Sequence, residues 1–161
     1  MTTTSRYASF WCFKDGIKTA LMMFERDKKT NTISPVADWV SGPNGYDFVA
    51  KINEWHAETP LTKVIVNDIE RIDGEDHPAK RRINSLPVVI LPQIILFEGA
   101  SLYEEKSKSG EFEWGDYKGG ARLLEKMNQG QSSDPLLMAF LQGLKGPSEL
   151  VTIERLEAMT G

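Results

Sequence analysis

Two stretches of this chain hold residue types that could do chemistry. The first, Asn67 to Arg82, reads NDIERIDGEDHPAKRR and gathers Asp68, Glu70, Asp73, Glu75, Asp76 and His77 in one short run. Carboxylates at this density offer hard oxygen ligands for Mg²⁺ or Ca²⁺. An aspartate at a strand end, as Asp68 would be, suits a two-metal phosphoester or nucleotide-processing enzyme. Asp68, Glu70 and Asp73 are the candidate metal ligands on that reading. The spacing differs from an EF-hand loop, whose closing glutamate is missing. A solvated loop, its acids balanced by Lys80, Arg81 and Arg82, would have the same composition. Three basic residues are too few to specify a phosphate by themselves.

The second stretch, Ala37 to Gly45, reads ADWVSGPNG. Gly42-Pro43-Asn44-Gly45 is a cluster of turn formers, and Asn44 is placed to cap the helix that follows. A helix N-terminus leaves N–H groups unpaired, so Ser41 and Asn44 could hold an anion or a peptide carbonyl. Nothing local identifies His56 or His77 as a base for Ser41, so a serine hydrolase does not follow. Cys12 is the single cysteine, which excludes an intramolecular disulfide and a structural zinc site built on cysteines. With no adjacent histidine or lysine to lower its pKa, it reads as a small buried hydrophobe.

Elements must position these residues. Apolar runs on both sides of Lys14-Asp15-Gly16 predict a β-hairpin over Tyr7 to Arg26, with Trp11 and Phe13 on one face and Phe10 and Cys12 on the other. RDKKTNTISP reads as a loop or short edge strand. Phe48, Val49, Ile52, Trp55 and His56 recur at helical spacing before Pro60. LTKVIVNDI is a buried-strand pattern over Leu61 to Ile69. In LPVVILPQIILF, Pro92 interrupts the apolar run, which predicts a strand over Gln93 to Phe97. SLYEE and EFEWGDY read as the arms of a second hairpin, or one strand divided by a polar loop, and YKGGARLLEKMN as a helix. Asp134-Pro135 signals a helix start, and LLMAFLQGLK is apolar nearly all round. SELVTIERLEAM carries Leu150, Ile153, Leu156 and Met159 on one helical face.

The order of elements predicts an α/β (α+β) fold, a central mixed sheet with flanking helices. One domain over 1–129, opening on the hairpin, would be followed by a helical extension over 130–161 packed on it or on a partner. A chain of 161 residues, 40% hydrophobic and 26% charged, can bury one core. The net charge of −4 disfavours a general binder of polyanions and makes nucleic acid an unexpected partner. No run approaches a membrane span, and no signal peptide is visible, so a soluble, cytoplasmic protein is expected.

Three stretches resemble the thioredoxin superfamily. ADWVSGPN is similar to the tryptophan-led CxxC loop, with Ser41-Gly42-Pro43-Asn44 in place of Cys-Gly-Pro-Cys. INSLPVVILPQIILFEGASLY resembles the segment carrying that family's cis-proline, and YKGGARLLEKM resembles the glycine turn before its last helix. The resemblance implies a thioredoxin-like fold with Pro87 or Pro92 cis beside Ser41. The extra Val40 and the two missing cysteines depart from the pattern. Without a thiolate and a resolving thiol the loop cannot exchange disulfides. The function expected on this basis is a redox-inactive, non-catalytic protein-binding module with no cofactor. Its contacts would be Trp39, Ser41, Pro43, Asn44 and Pro92, with a protein partner or self-association through the C-terminal helices. The alternative is the metal-dependent enzyme centred on the acidic segment 68–77.

Overall fold

Alternating apolar side chains along the first two strands give the sheet two buried faces, and that alternation organises the molecule. The computed structural model describes residues 4–13, 19–41, 48–68 and 86–146. Strands β1 (Thr4–Cys12) and β2 (Thr19–Asp27) pair antiparallel from Thr4↔Asp27 to Cys12↔Thr19, as the hairpin pattern predicts. The polar stretch after β2 leads into a full edge strand, β3 (Thr32–Val40), antiparallel to β2. Its register shifts between Met23 and Phe24, opposite Pro35 to Ala37. A proline fits there because an edge strand leaves one row of N–H groups unpaired.

Helix α1 (Phe48–Glu58) follows and stops short of Pro60, and β4 (Leu61–Asp68) then lies parallel to β1. Strand β5 (Val88–Pro92) lies parallel to β4, ending with Asp68↔Pro92. The sheet order is β3-β2-β1-β4-β5, a mixed sheet flanked by helices. Tyr7, Trp11, Met22, Phe24 and Ile65 face one side, with Phe13 packed against them, and Phe10, Cys12, Leu21, Met23 and Val64 face the other. Helix α1 covers the second face with Phe48, Ile52 and Trp55.

The region after Pro87 departs from expectation. The strand runs up to Pro92 instead of starting after it, because a proline at a strand end removes no ladder bond from the interior. Residues from Leu96 onward, SLYEE included, form helix α2 (Leu96–Ser109), which Gly110 ends at φ 79° by donating its N–H to Lys106 O. EFEWGDY is no hairpin arm. It crosses to the sheet edge, where Ile33 N donates to Glu111 O at 2.9 Å and Glu113 N to Ile33 O at 3.0 Å. Helix α3 (Gly120–Asn128) matches the glycine-led pattern.

The last described element, α4, spans residues 135–146. Leu137, Met138, Phe140, Leu141 and Leu144 bury it on the first face of the sheet, which explains its nearly all-round apolarity. Phe140 stacks on Trp114 at 5.2 Å between ring centroids and meets Phe112 edge-on at 5.6 Å. The segment SELVTIERLEAM lies outside the described residues.

Candidate functional site

Strands β1, β4 and β5 are parallel, so their carboxyl ends share one rim of the sheet. The chain leaves β1 toward β2 and leaves β4 toward β5. Strand order therefore reverses between β1 and β4, and in open α/β sheets ligands bind in the crevice at that reversal.

Asn67 stands at this point, fully buried. Its Oδ1 accepts the N–H of Cys12 at 2.9 Å, and its Nδ2 donates to Cys12 O at 2.7 Å. The backbone pairing of β1 with β4 reaches only Phe10↔Val66, so the amide continues the ladder with side-chain atoms. Asp68, the next residue, pairs with Pro92 through the backbone. One turn inward, Gln142 of α4 donates Nε2 to Ser9 Oγ at 3.0 Å and to Phe10 O at 2.9 Å. Gln142 Oε1 and Trp11 Nε1 are buried with no hydrogen-bond partner among the described residues. The floor of the rim is thus neutral and polar.

The sequence-derived candidates distribute unevenly around it. Ser41 follows β3 and closes the edge: its N–H donates to Thr19 O at 2.9 Å and its Oγ accepts from Thr19 N at 3.2 Å. Trp39 lies half-buried against the α1 cluster, and Pro92 is exposed at the end of β5. Pro43 and Asn44 lie outside the described residues, as do Glu70, Asp73 and the rest of the acidic segment after Asp68. Four inter-strand steps, roughly 19 Å, separate the ends of β3 and β5, so Ser41 and Pro92 do not meet. The Leu86-Pro87 and Leu91-Pro92 bonds are trans. His56 Nδ1 accepts the N–H of Leu61 at 3.0 Å, joining α1 to β4. Cys12 is buried, as expected. Among the described residues, no three His, Cys, Asp or Glu side chains converge to hold a metal ion, and none of the helices is long and apolar enough to cross a membrane.

Asn67 and Gln142 were not singled out from sequence. The available signal was a lone amide in each of two apolar runs, VIVND and LLMAFLQGLK, since buried polar residues are the informative exceptions.

No protein-family model matches the chain, and no curated protein matches it in sequence. Solved structures do match in fold. The fowlpox virus Holliday junction resolvase aligns with 90% of this chain and 99% of its own, at a TM-score of 0.53 and 18% identity. The fowlpox resolvase in complex with substrate Holliday junction DNA gives 0.54 and 16%, over 90% and 98% of the two chains. The P22 large terminase nuclease domain gives 0.54 and 11%, over 76% of this chain and 68% of that one. The human cytomegalovirus terminase nuclease domain gives 0.51 and 10%, over 87% and 82%.

These matches correct three expectations. The chain does not resemble thioredoxin in fold; its neighbours are a viral resolvase and terminase nuclease domains, and the motif similarities around Ser41, Pro92 and Gly119 are local. A redox-inactive protein-binding module loses its basis with that resemblance. Nucleic acid, disfavoured on net charge, is what one fold neighbour holds in its crystal structure. This chain is a five-stranded mixed sheet flanked by helices, in a fold similar to that of these proteins.

Proposed function

We propose that this chain is a nucleic-acid-processing nuclease whose site lies at the carboxyl ends of β1 and β4. One observation carries the reading: Asp68 closes β4 at the reversal of strand order, in a fold that aligns over 90% of the chain with a resolvase. Asp68, Glu70 and Asp73 are the candidate ligands for a divalent cation. The described side chains form no metal site by themselves, so the cation would depend on these carboxylates. The neutral floor has its own part. Asn67 ties β1 to β4 and Gln142 ties α4 to β1, which fixes the strand ends that flank Asp68.

The test is cleavage of labelled four-way junction, single-stranded and duplex DNA in Mg²⁺, Mn²⁺ or EDTA, with Asp68→Asn as control. Metal-dependent strand scission, abolished in a folded Asp68→Asn protein, is the expected result. An absence of scission on every substrate with either metal would refute the proposal.

A further inference from the structure

We draw no further inference here: the strongest candidate, the apolar surface patch that Ile95 and Phe97 form at the start of α2, carries nothing because nothing in the structure shows what covers it.

Discussion

Asn67 holds the backbone of Cys12 from both sides, accepting its N–H at 2.9 Å and donating to its carbonyl at 2.7 Å. The amide replaces a strand residue where β1 and β4 would otherwise part, beside Asp68. Two buried hydrogen bonds of about 1 kcal/mol each, plus the cost of stranding their partners, put Asn67→Ala at ~2–4 kcal/mol. At 2–4 °C per kcal/mol this lowers the melting temperature by roughly 5–15 °C. Asn67→Asp makes the test sharper. A protonated carboxyl can still donate to Cys12 O, whereas a carboxylate meets that carbonyl with like polarity. Burial raises the folded-state pKa of such a group, so its stability should approach wild type near pH 4 and fall as pH rises. Urea melts at pH 4 and pH 7 check this.

Gly143 should resist the substitution that usually strengthens a helix. Replacing an exposed helical glycine with alanine stabilises by about 1 kcal/mol. Here the added Cβ would lie 2.1 Å from Phe24 Cε2, inside a ring that stacks on Tyr7. Tyr7 also donates to Gly143 O at 2.7 Å, which fixes the helix at that height. Gly143→Ala is expected to cost ~3 kcal/mol from overpacking. Gly146→Ala should cost less, because its new Cβ meets the end of the Ile65 side chain, Cδ1, which can turn away. Calorimetry on both variants gives the comparison.

Local signals in the sequence carried local structure well. Asp134-Pro135 marks the start of α4, and alternation from Phe10 to Phe13 sorts the two faces of β1 correctly, because each depends on neighbours in the chain. Pro92 misled because its effect depends on position: inside a strand it breaks the ladder, at the end it breaks nothing. Leu102 and Tyr103 read as strand residues but are helical, since Tyr103 packs on Phe112, Trp114 and Phe140 from elsewhere in the chain. The order β3-β2-β1-β4-β5 leaves no mark in any one segment, so the short motif at Ser41 drew the wrong fold. Asp68 was legible as a strand-end acid; its place at the reversal was not. Net charge averaged over the chain carried no information about one rim.

Alkaline pH should destabilise the protein through two tyrosines. Burial pushes the Tyr7 hydroxyl well above its ordinary value of 10.0, against a smaller opposing pull from Arg26. Tyr117 is also raised, first by burial, then by its hydrogen bond to Asp38 and the charge of that carboxylate. A tyrosine whose pKa is higher in the folded state keeps its proton there while the unfolded chain loses it. Its contribution is complete below about pH 10 and is lost as pH rises toward the folded-state value. Denaturant midpoints should therefore fall above pH 10, and Tyr117→Phe should flatten that decline. An unchanged alkaline slope in Tyr117→Phe would show that Asp38 does not hold the phenol.

Asp134 offers a carboxylate that a metal could be imagined to use, but both of its oxygens are committed. Oδ1 accepts the N–H of Leu137 at 2.9 Å, capping α4, and Oδ2 pairs with Lys126. Asparagine caps a helix as well as aspartate, so Asp134→Asn should lose little stability, whereas Asp134→Ala should lose ~1–2 kcal/mol. A cation ligand behaves differently: binding to the folded state raises the melting temperature with metal concentration, and removing the ligand abolishes that rise. Mg²⁺ should stabilise the wild type and Asp134→Asn by the same increment and fail to stabilise Asp68→Asn. If Asp134→Asn removed the increment instead, Asp134 would be a ligand and the cap a secondary role. Melting curves of the three proteins across a Mg²⁺ series separate a residue that holds a helix from one that holds a metal.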